Sequence, residues 1–239
     1  MKIIEKEDYN ELSKEAAKII ISQIKKKPNS VIGFATGNTV LGLYKELIKA
    51  HKKGLDFSKI TSFNLDEYLN LPKSDKQSLN FFMKHNLFNH INIKKINMPD
   101  GTAKNPKNFC KDYENKIRLN KIDLQILGIG RNGHIGFNEP GSKFTSRTRI
   151  VNLSKQTIKE NSKFFKNKKV PKKAISLGIS TILKSKKIIL LAAGKNKARA
   201  IKNLIKGKIT EKVPATALRK HKNVTVIIDK EANSILRGI

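Results

Sequence analysis

At 239 residues the chain has the length of one α/β domain with room for a full core, and no Pro/Gly-rich linker or internal repeat divides it, so residues 1–239 are expected to form a single domain. Fifty Lys and Arg against nineteen Asp and Glu leave a net charge of +31, but only seven of the fifty are Arg, aromatics are 6% and Trp is absent; the Arg and aromatic stripe that grips bases is missing, which argues against specific nucleic-acid binding. The lone Cys110 excludes an internal disulfide and a thiolate metal site; no apolar run approaches the roughly 18 residues of a membrane span, and the N-terminus lacks a signal-peptide core, so the expected location is cytoplasmic.

Apolar residues Leu12, Ala16, Ile19, Ile20 and Ile24 fall on one face of a helix over residues 9–26, which Pro28 stops. Residues 30–35 read as a strand and 40–52 as the helix after it. A second strand, 60–63, ends at a loop carrying Asp66. Helices follow at about 78–88 and from about 105, where Cys110 falls among packing residues. The run Ile122-Asp-Leu-Gln-Ile-Leu127 is a buried strand, 154–165 a helix, 187–192 a strand, 195–205 a helix and 224–228 a last strand. Strands alternating with helices predict an α/β fold with a mostly parallel, Rossmann-like sheet covered on both faces, and ligands in such folds sit beyond the carboxyl ends of the strands.

Four segments at strand ends carry polar chemistry. After strand 122–127, Gly128-Ile-Gly130 lets the backbone turn sharply and delivers His134 and, five residues later, Glu139. An imidazole titrates near neutral pH and can move a proton, and a nearby carboxylate can orient it as a triad acid does; a structural histidine is the alternative. Asn132 has no basic nitrogen or carboxylate and suits positioning. Thr36-Gly-Asn38-Thr39 lies between a strand and a helix, where backbone N–H groups can meet an anion, or where Asn38 or Thr39 can simply cap the helix. Asp66 and Glu67 form an acidic pair whose side chains point different ways; a partly desolvated Asp66 can act as a base, while an isolated pair of this kind is commonly a solvated loop acid. Lys197 opens a helix after a strand, a place for a phosphate or for an ordinary surface lysine. His134 and Glu139 have no His or Cys partners at ligand spacing, so neither metal nor cofactor is expected.

Taken together, residues 128–141, Gly33-Phe-Ala-Thr-Gly-Asn-Thr39, Phe63-Asn-Leu-Asp-Glu-Tyr68 and Gly194-Lys-Asn-Lys-Ala198 resemble, in order, the motifs of glucosamine-6-phosphate deaminases, which convert glucosamine 6-phosphate and water into fructose 6-phosphate and ammonia. The resemblance implies that Asp66 takes the proton from C2 and returns one to C1, that His134 with Glu139 and Asn132 serves ring opening, and that Thr36, Gly37, Asn38, Thr39, Lys163 and Lys197 hold the phosphate. Asn38 and Val40 stand where the family usually has Gly or Ser and Pro, and Lys163 where it usually has Arg, which keeps the charge but loses the bidentate fork. Residues 143–169 read as a lid over the sugar. Arg149 is kept, but Val151 replaces a second basic residue and the tail is short, so the resemblance is to an unregulated form, a monomer or homo-oligomer. 6-Phosphogluconolactonases share the fold and the Gly-His turn but lack the Phe137-Asn-Glu-Pro140 run and the Asp66 segment.

Overall fold

The computed structural model describes residues 1–163, 165 and 169–238. Among them ten strands form: β1 (Lys2–Lys6), β2 (Val31–Phe34), β3 (Thr61–Asn64), β4 (Asp66–Tyr68), β5 (Lys95–Asn97), β6 (Leu124–Gly128), β7 (Arg149–Asn152), β8 (Lys173–Ser176), β9 (Lys187–Ala192) and β10 (Val224–Asp229). The helices are α1 (Tyr9–Lys26), α2 (Leu41–Lys52), α3 (Leu79–Asn86), α4 (Pro106–Asn120), α5 (Lys155–Ser162), α6 (Ile179–Ile182), α7 (Ala198–Lys206) and α8 (Ser234–Arg237).

Seven strands build one parallel sheet in the order β1-β10-β9-β6-β2-β3-β5. The chain runs from β2 outward through β3 to β5, returns to lay β6 against the other side of β2, and then runs outward through β9 to β10. The order therefore reverses between β2 and β6, and this switch point is where an open α/β sheet leaves a crevice. All five strands expected from the sequence are present to within one or two residues. The unexpected β1 and β5 are its two edges, short segments that pair on one side only.

The helices start where short polar side chains can take up free N–H groups. Asp8 accepts from the Glu11 amide at 2.9 Å, Ser78 from Phe81 at 2.9 Å, Asn105 from Asn108 at 3.1 Å and Ser154 from Thr157 at 3.1 Å. On α1, Leu12, Ala16, Ala17, Ile20 and Ile24 are buried at helical spacing and join the core that β2, β6, β9 and β10 share. Cys110 is buried on α4, and burial pushes its thiol up to about 11, as for a packing residue.

At the amino ends of the central strands, buried Asp123 accepts from Lys27 Nζ at 2.6 Å, Lys186 Nζ at 2.8 Å and the Val31 amide at 2.9 Å. One carboxylate thus ties the end of α1 to the starts of β2, β6 and β9. Burial opposes its ionised form, but the two ammonium groups and the amide outweigh burial and hold its pKa below the usual Asp value.

Asp66 does not lie in a loop: Asp66–Tyr68 is β4, the edge strand of a second, antiparallel sheet ordered β4-β8-β7, with Asp66 opposite Ser176. Three residues are too few for a pairing pattern to be visible in sequence. A smaller apolar cluster, including Tyr68, Phe137, Val151 and Phe165, packs in this region.

Candidate active site

Strands β9, β6, β2 and β3 are neighbours, and the segments that follow them enclose a cavity of about 510 Å³. Thr36, Gly37, Asn38, Thr39, Asp66, His134, Lys163 and Lys197 all line it. Asn132 and Glu139 do not; they stand behind His134.

The turn after β6 is shaped around the histidine. A Cβ on Gly130 would lie 2.2 Å from His134 Cε1, so only glycine lets the ring sit there. The Asn132 side chain accepts from the His134 backbone amide at 3.1 Å and donates to Glu139 Oε2 at 2.9 Å. His134 Nδ1 lies 3.5 Å from that same Glu139 oxygen, within ion-pair reach but not aligned as a hydrogen bond. Burial disfavours a charged Glu139, yet the surrounding His134, Thr157 and Asn132 groups outweigh it and hold the carboxyl down at about 2. A fixed negative charge therefore stands behind the imidazole.

Asp66 meets the cavity from the other side. It is 6% exposed, and desolvation, with a further contribution from the Glu67 charge, pushes its carboxyl up to about 8. Glu67 points away and is fully buried, accepting from the amides of Tyr68 at 2.9 Å, Leu79 at 3.0 Å and Asn80 at 2.8 Å. Burial raises Glu67 as well, while these three donors, two of them at the start of α3, favour its charged form. The pair thus divides its work: one carboxylate anchors a helix, the other faces the cavity. Gly136, at φ +55°, passes close enough that a Cβ would come within 3.4 Å of Asp66 Oδ2.

Two turns of the same construction mark the cavity's cationic and amide-rich part. Gly37 (φ 107°) leads a single 3-10 turn, Asn38–Val40, into α2; Gly194 (φ 91°) leads Lys195–Lys197 into α7. Neither Asn38 nor Thr39 caps α2. The Tyr9 hydroxyl does so from α1, accepting from the Gly42 amide at 2.7 Å and donating to the Asn38 carbonyl at 2.9 Å. The second turn is pinned by Asp229, which accepts from the Gly194 amide at 2.9 Å and the Ala232 amide at 2.7 Å. Burial, together with the neighbouring Arg131 and Lys163 charges, holds Lys197 below the usual lysine value, against the pull of Glu160.

Sequence reasoning missed Tyr9, Asp229 and Asn138. Asn138 is fully buried and donates to the carbonyls of Ile135 at 2.9 Å and Leu177 at 2.8 Å, locking the histidine loop to the end of β8. Tyr9 and Asp229 act across 29 and 35 residues of chain, so local pattern gives no signal for them; Asn138 lies inside the Phe137-Asn-Glu-Pro140 run, but its role rests on Leu177, 39 residues away. The expected lid divides. Arg149–Asn152 is strand β7, Lys155–Ser162 is helix α5 beside the cavity, and residues 164 and 166–168 lie outside the described residues. Asn161 donates to the Tyr68 hydroxyl at 2.8 Å, joining α5 to the strand of Asp66.

Comparison with known proteins finds relatives along nearly the whole chain. The chain is 58% identical over 241 residues to a glucosamine-6-phosphate deaminase of Clostridium novyi (strain NT), covering 99% of this chain and 100% of that one. It is 54% identical to a protein of the same name from Thermoanaerobacter sp. (strain X514), covering 99% and 95%. A solved structure described as a monomeric glucosamine-6-phosphate deaminase superposes with a TM-score of 0.96 at 48% identity, covering 98% and 100%. A 6-phosphogluconolactonase from Trypanosoma cruzi superposes with a TM-score of 0.80 at 25% identity, covering 98% and 96%. Residues 5–227 match the family model of glucosamine-6-phosphate isomerases and 6-phosphogluconolactonase, and the chain belongs to that family.

Proposed function

We propose that the chain is a single catalytic domain that converts glucosamine 6-phosphate and water into fructose 6-phosphate and ammonia. The observation that carries this reading is the shared cavity: a buried carboxylate tuned to about 8, a histidine backed by a fixed anion, and two glycine-led turns with Lys197 at one place. The phosphate is held by the amides of residues 37–39, by Thr36 and Thr39 hydroxyls, and by Lys197 and Lys163. His134, oriented by Asn132 and charge-balanced by Glu139, passes a proton to the ring oxygen as the pyranose opens to the C1 aldehyde. Ionised Asp66 then removes the C2 proton and returns it to C1, which moves the double bond to C2 as an imine. Water adds to C2 and ammonia leaves. A base whose pKa lies near the working pH suits a step in which the same group must take and then give a proton.

Helix α5, tied to Tyr68 through Asn161, serves as the lid, a narrower element than 143–169. No described helix is long and apolar enough to cross a membrane; the reading places the enzyme in the cytoplasm, where charged sugar phosphates are retained. Its assembly is proposed to be monomeric, as the similar solved structure is described.

The test is direct. Purified protein given glucosamine 6-phosphate, with no added metal or nucleotide, is expected to release ammonia and fructose 6-phosphate in equal amounts and to be indifferent to chelator. Hydrolysis of 6-phosphogluconolactone without ammonia release from the amino sugar would move the assignment to the other activity in the family's description.

A further inference from the structure

Beside the substrate cavity lies a second concavity of about 760 Å³, lined by Arg131, Asn132, Gln156, Lys159, Glu160, Lys163, Asn196, Arg199 and Asn203. It is a groove between two helices. Gln156, Lys159 and Lys163 recur at spacings of three and four along α5 and its end; Asn196, Arg199 and Asn203 recur at three and four along the start of α7. Each row therefore occupies one helix face, with Arg131 and Asn132 coming from the loop after β6. All nine lining residues are polar or charged, with four cations against the single carboxylate of Glu160. That carboxylate reaches Arg131 only at 4.0 Å. Among the described residues, neither Lys159 nor Arg199 has an ion-pair partner.

We propose that this groove is a second anion-binding site, which takes a phosphorylated, sugar-sized molecule next to the substrate cavity. The ligand class follows from the lining. With no apolar wall, the groove rewards hydroxyls and charge; Asn132, Gln156, Asn196 and Asn203 supply amide donors and acceptors for hydroxyls, and two guanidinium groups supply the planar fork that matches phosphate oxygens. Glu160, Lys163 and Asn196 line both cavities, so the two sites adjoin. Anions in the two cavities draw on the same Lys163 ammonium, and their charges repel where they come within one screening length, roughly 8 Å at physiological salt. Occupancy of the groove is therefore antagonistic to substrate, and the antagonism is reciprocal. The Arg131 and Lys163 charges that weigh on Lys197 are the same charges an anion in the groove would neutralise.

Equilibrium binding of inorganic phosphate to the intact protein at low ionic strength tests this without reference to turnover, so its failure is separate from failure of the proposed activity. Two binding events are expected. The combined change Arg131→Gln and Arg199→Gln is expected to weaken one by about tenfold or more and spare the other, which Lys197→Gln weakens instead. Should the double variant not fold, Lys159→Gln alone is expected to weaken the groove event several-fold. A single event in the unaltered chain, or a second event that survives these changes, overturns the proposal.

Discussion

Asp66 holds its position at a cost to the fold. Its folded pKa of about 8 exceeds the ordinary 3.8, so folding takes up a proton between those values and stability falls as pH rises across that window. The same shift sets catalysis, because the free enzyme must ionise Asp66 before it can accept the C2 proton. Accordingly kcat/KM is expected to rise with pH and flatten above about 8. Asp66→Asn is expected to lose roughly 10²-fold or more in kcat. In exchange, its thermal midpoint should gain on the parent between about pH 4 and pH 8, because the amide has no proton to lose. Midpoints that track each other across that range would show that Asp66 is not the perturbed group. At this scale the sequence was informative where a residue's neighbours in the chain are also its neighbours in space. His134, Asn132 and Glu139 fall within eight residues, and their mutual geometry follows from one glycine-rich turn. The separate fate of Glu67, whose acceptors are filled by α3 backbone, depends on residues 79 and 80 arriving from elsewhere.

The two glycine-led turns are alike in backbone but not in support. The turn at residues 37–40 leaves the amides of Gly37, Asn38 and Thr39 open, the Val40 amide bonding the Gly37 carbonyl, and Tyr9, a helix away, caps α2 in place of a local side chain. The turn at 194–197 has its first amide taken by Asp229, so there the lysine side chain rather than the backbone faces an anion. Tyr9→Phe removes one hydroxyl and both of its bonds. Losing about 1 kcal/mol of orientation in the anion turn corresponds to a KM increase of roughly fivefold, with kcat within about twofold and phosphate inhibition weakened in parallel. A fall in kcat at constant KM would place Tyr9's influence on the chemistry instead. Long, strongly periodic elements such as α1, β9 and β10 were legible because burial imposes their pattern over many residues. Strands of three or four residues, β4, β5, β7 and β8, carry no such pattern; their existence is decided by partners distant in the chain, and with them the whole second sheet that carries Asp66.

Across the molecule, the +31 charge is a surface trait that, among the described residues, gathers four cations in the α5/α7 groove, while the site itself holds the carboxylate of Asp66. Anchoring lies at the opposite end of the strands. Asp123→Asn would keep an acceptor for the Val31 amide but lose both ammonium partnerships, and is expected to lower stability by about 1–2 kcal/mol at neutral pH while KM stays unchanged. The folded pKa of Asp123 is depressed, so its contribution is present above the ordinary value of 3.8 and disappears as pH falls through the lower folded value. Urea denaturation of both proteins at neutral and acid pH measures the difference and its decline.

The placement of Asp123 has a further consequence. The junction that fixes how α1, β2, β6 and β9 meet shares no residue with the cavity, so the rim that selects substrate and the footing that sets the lifetime of the fold can drift independently. A lineage built this way can exchange one reaction for another by rewriting strand-end loops while its foundations go on unaltered, and a lactonase superposing at a TM-score of 0.80 with a quarter of its residues in common is what such a history would leave behind.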